Sequence, residues 1–177
     1  MTKFFHWAVF IGFVFQYFVA SVMLRISQAE SFWGFTQGFL YNWHKSVGLI
    51  IFGVVICRYL WRRFTSLPNW APTLTKRERV WVHWIERILY LCMFVMPISG
   101  YMFVMAGGYG VNFFGVYPLP NPIGKIPWLA LLAEYTHWIT AITIVVTWLC
   151  HMALVFKHQL IDRDRLLHRM LPLTHQK

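Results

Sequence analysis

Charged residues are scarce in this chain. Only 12% of the 177 residues are charged, about half of the roughly 25% that is usual in a soluble domain. Six residues are acidic, and 58% of the chain is hydrophobic. So little polar surface excludes a soluble enzyme, a disordered segment and a nucleic-acid-binding domain. The formal charge of +10 therefore indicates membrane topology, because basic residues collect in cytoplasmic loops.

Cysteine is also scarce, and its placement excludes two further features. The three cysteines, Cys57, Cys92 and Cys150, are odd in number, and each lies in an apolar stretch. This pattern argues against a disulfide framework. No C-x-x-C-H sequence is present, which excludes covalent attachment of a c-type haem.

Four long apolar stretches are present, at residues 4–24, 39–61, 80–105 and 128–156. Each can supply the roughly 20 helical residues that cross a hydrocarbon core about 30 Å thick. Because backbone groups in lipid must bond within their own segment, we expect helices. The first stretch is too long for a signal-peptide core and lacks a small-residue cleavage site. The sequence predicts one all-α domain over residues 1–177, a transmembrane four-helix bundle.

The basic residues predict the orientation of this bundle. Of the 16 lysines and arginines, 13 fall on the side of both termini and of the connection between the second and third spans. Only Arg25, Lys45 and Lys125 fall on the other side. Positive charge marks the cytoplasmic side, so we expect both termini in the cytoplasm of a bacterial cell, with the protein in the inner membrane.

Histidines supply the candidate site, because ionisable side chains inside spans are costly and usually functional. His137 and His151 lie on the fourth span, 14 residues apart, which places them on one face and roughly 21 Å apart along the axis. His44 matches the depth of His137 in the outer half, and His6 matches His151 in the inner half. Each pair can hold one haem iron from both sides. The pattern predicts two b haems, with all four histidines as axial ligands.

Other residues near these levels leave alternatives open. His83, at the inner end of the third span, competes with His6 as the inner ligand. His158 follows His151 by two helical turns and is either a hydrogen-bond partner or proton donor to a quinone, or a solvated interfacial histidine. Four glycines near the histidines would make room either for a flat haem ring or for plain helix packing: Gly12, Gly48, Gly53 and Gly100. Three basic residues on the outer side could neutralise haem propionates: Arg25, Lys45 and Lys125.

Several short motifs occur in an order and spacing that resemble the bacterial dihaem cytochrome b561 family, over nearly the whole chain. They are F-H-W at 5–7, W-H-K-S-V-G at 43–48, M-P-I-S-G at 96–100, Y-T-H-W at 135–138, C-H-M-A at 150–153, His158 and L-L-H-R-M-L-P at 166–172. The resemblance implies the same ligand pairs, His6 with His151 and His44 with His137. Members of this family act as superoxide oxidases that reduce ubiquinone, or as haem subunits for partner proteins, and the resemblance implies one of these roles for this chain.

We therefore expect a membrane oxidoreductase that moves electrons between an outer one-electron donor and ubiquinone. Superoxide is the best single candidate for this donor. The first alternative is an electron-carrier haem subunit for a partner dehydrogenase or periplasmic cytochrome. The second is a haem-free transporter lined by the same histidines. Sparse carboxylates within the spans argue against that second alternative, because Glu86 and Glu134 lie near span ends.

Overall fold

A computed structural model describes residues 1–65, 73–164 and 171. The chain forms four long α-helices: α1 (Thr2–Met23), α2 (Gln37–Phe64), α3 (Lys76–Ala106) and α4 (Pro127–Phe156). A π-helix, Lys157–Asp162, continues directly from α4. Each predicted apolar stretch lies on one of the four helices, and the predicted all-helical architecture is confirmed. Basic residues 165, 169 and 177, and all but Leu171 of the motif at 166–172, lie outside the described residues.

Three of the helical segments are long and apolar enough to cross a membrane: Thr2–Met23, Lys76–Ala106 and Pro127–Asp162. Helix α2, at 28 residues, is not among these three segments. Asn42, His44 and Lys45 lie near its beginning, and Arg62 and Arg63 lie in its last turn. The second predicted span and the placement of the two termini therefore stay predictions.

Side-chain hydrogen bonds join the first two helices and tie α1 to α4. The Gln16 side chain on α1 donates to the His44 carbonyl oxygen on α2 at 2.8 Å. The Tyr17 hydroxyl donates to the Ala141 carbonyl oxygen on α4 at 2.6 Å. Nearer the start of α1 and the end of α4, the rings of Phe10 and Trp148 stack with their centroids 6.2 Å apart. Helix α1 is thus held both to α2 and to α4, the helix that carries His151, the candidate partner of His6.

Two short hairpins connect the helices at one end of the bundle. Strands β1 (Ser31–Phe32) and β2 (Phe35–Thr36) join α1 to α2, and strands β3 (Asn112–Phe113) and β4 (Tyr117–Pro118) join α3 to α4. The second hairpin packs on α2, because the Phe114 N–H donates to the buried Ser46 hydroxyl at 2.7 Å. These hairpins therefore cover the end of the bundle at which His44 and His137 lie.

The loop before the first hairpin is stabilised locally. The Ser27 N–H donates to the Glu30 carboxylate at 2.7 Å, and this bond lowers the pKa of that exposed carboxyl below its usual range. The Gln37 side chain, at the start of α2, donates to the carbonyl oxygens of Met23 and Ile26. Together these bonds close the connection between α1 and α2.

The opposite end of the bundle carries its ion pairs. Arg62 on α2 pairs with Glu86 on α3. Helix α3 begins with a capping box in which Thr75 and Glu78 satisfy each other's backbone N–H groups, as N-terminal caps do. The Glu78 carboxylate also accepts from Lys157 at the end of α4, at 2.6 Å. Ion pairs between helices therefore join this end of the bundle, whereas the hairpin end is joined by hydrogen bonds to backbone and hydroxyl groups.

Candidate functional site

The structure brings His44 and His137 together in the half of the bundle nearest the hairpins. Their ring centroids lie 6.4 Å apart, with an angle of 80° between the ring planes. The Nδ1 atom of His137 donates to the Met96 carbonyl oxygen at 2.9 Å, which leaves Nε2 available to a metal. The Ser99 hydroxyl lies 3.4 Å from the same Nδ1 atom. Helix α3 therefore fixes the orientation of the His137 ring.

Gly100 makes room for that ring. A Cβ atom at position 100 would lie 2.9 Å from Cε1 and 3.0 Å from Nδ1 of His137, closer than carbon and nitrogen atoms pack. Gly12 and Gly48 have other neighbours: a Cβ at these positions would meet Ile51 and the Gln16 side chain. Helix packing accounts for Gly12 and Gly48, whereas Gly100 serves the candidate site itself.

A large cavity opens between the two outer histidines. Its volume is about 1060 Å³, at the upper end of the roughly 300–1,000 Å³ of cofactor and ligand sites. Both histidines line it, together with Gly100, Lys45 and Glu134. The Lys45 ammonium donates to the Gly110 carbonyl oxygen at 3.0 Å. Among the three outer basic residues, Lys45 is the one placed to meet an acidic group of a cofactor in this cavity.

The structure also brings His6 and His151 together, toward the end of the bundle that carries the ion pairs. Their ring centroids lie 6.4 Å apart, with an angle of 56° between the ring planes. Both rings are partly buried, and both lie within electrostatic range of Arg58. The alternative inner ligand, His83, has an exposed side chain on α3. The geometry therefore favours His6 over His83 as the partner of His151.

The spacing of both pairs fits a metal held between two imidazoles. A metal–imidazole bond is about 2.0 Å long and the ring centre lies about 1.2 Å beyond the bonded nitrogen, so a metal in line with both nitrogens places the ring centres about 6.4 Å apart. The two observed separations are each 6.4 Å. The Nδ1 atom of His44 is buried and has no hydrogen-bond partner in the described part of the chain. The spacing of the two histidine pairs therefore fits an iron ion held between each pair of rings.

His158 is buried, and is therefore not the solvated interfacial histidine that was one of the two alternatives for this residue. Its side chain is only 1% exposed, and its Nδ1 atom lies 2.8 Å from the Asp164 carboxylate. The Asp162 carboxylate lies 3.1 Å from the same nitrogen. The expectation of solvation is wrong because the π-helix folds these carboxylates over the imidazole. The signal in the sequence was the presence of Asp162 and Asp164 soon after His158, within an otherwise basic segment.

Comparison with known proteins decides the family. A family model described as prokaryotic cytochrome b561 matches residues 1–173. The chain belongs to this family. It is also similar to cytochrome b561 homolog 2 of Escherichia coli (strain K12), with 31% identity over 128 residues, which cover 72% of this chain and 68% of that protein.

Membership of the cytochrome b561 family identifies a membrane protein that binds haem b and transfers electrons. The resemblance noted in the sequence is thereby confirmed. Membership of a haem-binding family argues against the second alternative, a haem-free transporter. The Met96 carbonyl oxygen that accepts from His137 could not be predicted from the sequence, since a backbone acceptor does not depend on residue type.

Proposed function

We propose that this cytochrome b561 carries two b haems and moves electrons through the bilayer from an outer one-electron donor to ubiquinone. His44 and His137 would hold the outer haem, and His6 and His151 the inner one. Haem b supplies an iron that changes its charge by one. In this arrangement the four-span bundle lies in the bacterial inner membrane, with both termini in the cytoplasm.

One observation carries the proposal: two histidine pairs have the same 6.4 Å ring separation at two levels of one bundle. The levels are 14 residues apart on α4, or roughly 21 Å. Two histidines at each haem would leave the iron to transfer electrons rather than to bind oxygen. Such a site suits electron transfer at the haem edge rather than oxygen binding.

Superoxide is the proposed outer donor, because it gives up one electron and carries one negative charge. The outer cavity is lined by Lys45, whose ammonium favours an anion. Two superoxide ions would give two molecules of oxygen and two electrons. One ubiquinone would take these two electrons with two protons and become ubiquinol, so the overall reaction balances.

His158 is the proposed residue at the quinone. It is buried near the inner end of α4, two turns beyond His151. Its Nδ1 atom lies against the carboxylates of Asp164 and Asp162, which orient the imidazole ring. The imidazole would hydrogen-bond a quinone oxygen and donate one of the two protons that the product requires.

The test is the rate of superoxide loss with purified protein and a soluble ubiquinone analogue, with ubiquinol measured in parallel. The proposal expects faster superoxide loss and one ubiquinol per two superoxide ions. His44→Ala should abolish this acceleration. No acceleration by a protein with full haem content would reject superoxide oxidation and favour the electron-carrier subunit for a dehydrogenase or periplasmic cytochrome.

A further inference from the structure

A cluster of ionisable side chains lies at the junction of α3 with the π-helix. Lys157 and Asp162 are five residues apart, and the π-helical spacing brings them to the same side. The Lys157 ammonium donates to Asp162 at 2.7 Å and to Glu78, on the first turn of α3, at 2.6 Å. π-Helical turns occur frequently at functional sites, which makes this junction a candidate for a second role.

The second observation is an unsatisfied buried nitrogen. The Nε2 atom of His158 has no hydrogen-bond partner in the described residues, although the side chain is only 1% exposed. It faces the Glu78 carboxylate at 3.6 Å, which is too long for a hydrogen bond. A buried nitrogen of this kind usually has a partner, and a cation placed between the imidazole and the carboxylate would provide one.

The distances suit a metal ion of the zinc class. One ligand atom from each of Glu78, His158 and Asp162 lies within 4.8 Å of the other two. With metal–ligand bonds of about 2.0–2.1 Å in a tetrahedral site, neighbouring ligand atoms lie about 3.4 Å apart, close to the 3.6 Å observed between His158 and Glu78. Asp164 accepts from the other imidazole nitrogen, Nδ1, at 2.8 Å, as carboxylates commonly do behind metal-binding histidines. The Asp162 carboxylate also lies 3.1 Å from Nδ1, so it would turn from that nitrogen toward the metal ion.

We propose that Glu78, His158 and Asp162 form a binding site for a divalent transition-metal ion such as Zn²⁺. In the present structure the Lys157 ammonium bridges the two carboxylates. Its side chain is 42% exposed and long enough to turn away into solvent. Lys157 and the metal ion therefore compete for the same oxygens, with the fourth ligand position of the metal left to water.

The test is calorimetric titration of the purified, haem-loaded protein with Zn²⁺ alone. Glu78→Gln and Asp162→Asn should each weaken binding at least about tenfold. Lys157→Met should tighten binding several-fold, because it removes the competing charge. Glu86→Gln is the matched control: this carboxylate also lies on α3 but pairs with Arg62, and its loss should leave the Zn²⁺ affinity unchanged.

Equal affinity in the wild type, Glu78→Gln and Asp162→Asn would overturn the metal site, as would failure of Lys157→Met to tighten binding. The visible spectrum of each variant verifies that the bundle is intact. If the proposed function also holds, bound Zn²⁺ would block His158 and slow ubiquinone reduction. That consequence rests on the proposed function, whereas the calorimetric result does not, so the two can fail separately.

Discussion

The sharpest structural prediction concerns Gly100 and its contact with His137. An alanine Cβ would lie 2.9 Å from Cε1 of the imidazole, whereas ordinary carbon contacts begin near 3.4 Å. The ring must therefore move by about 0.5 Å, more than the ±0.2 Å within which metal–ligand distances usually fall. The Met96 carbonyl oxygen holds Nδ1 of the same ring at 2.9 Å, which opposes that movement.

We expect Gly100→Ala to weaken the outer haem site and Gly100→Leu to remove the haem, with the inner haem retained. The haem-to-protein ratio, measured by pyridine haemochrome assay, should fall from about two to about one in the leucine variant. The matched control is Gly53→Leu, on α2, where an added Cβ meets no atom within 4 Å. Full haem content in Gly100→Leu, or the same loss in Gly53→Leu, would refute the reasoning.

Three further predictions address the inner haem, the hairpin and the bundle. His6→Ala and His151→Ala should each lower the haem-to-protein ratio by one, whereas His83→Ala should leave it unchanged; the opposite pattern would assign His83 as the ligand. Ser46→Ala leaves the Phe114 N–H without its acceptor and should destabilise the second hairpin by about 1–3 kcal/mol, seen as faster hydrogen exchange at residues 112–118 and contradicted by unchanged protection. Tyr17→Phe removes the hydrogen bond from α1 to α4. It should lower the free energy of unfolding, measured in detergent, by about 0.6 kcal/mol and by no more than about 1.7 kcal/mol. No measurable decrease would mean that this hydrogen bond contributes little to the stability of the bundle.

Helical periodicity and depth made the histidine pairs predictable. The separation of His137 and His151 along one helix follows from sequence alone, and successive spans that each cross the membrane must alternate in direction. His6 and His44 could then be matched to their levels without coordinates. The structure brings together the same two pairs.

The carboxylates around His158 could not be predicted in the same way. They depend on a π-helix at residues 157–162 and on a left-handed Arg163, and neither follows from the hydrophobic pattern. The extra residue in the π-turn shifts Asp162 and Asp164 toward the imidazole. Local backbone geometry, rather than residue type, therefore buries His158.

The most direct test of the central claim is the haem content of the purified protein together with the electron paramagnetic resonance of its oxidised iron. Two histidine pairs predict two haems per chain, both low-spin because protein nitrogens fill both axial positions. A single haem per chain, or a high-spin signal from iron with an open axial position, would contradict the account.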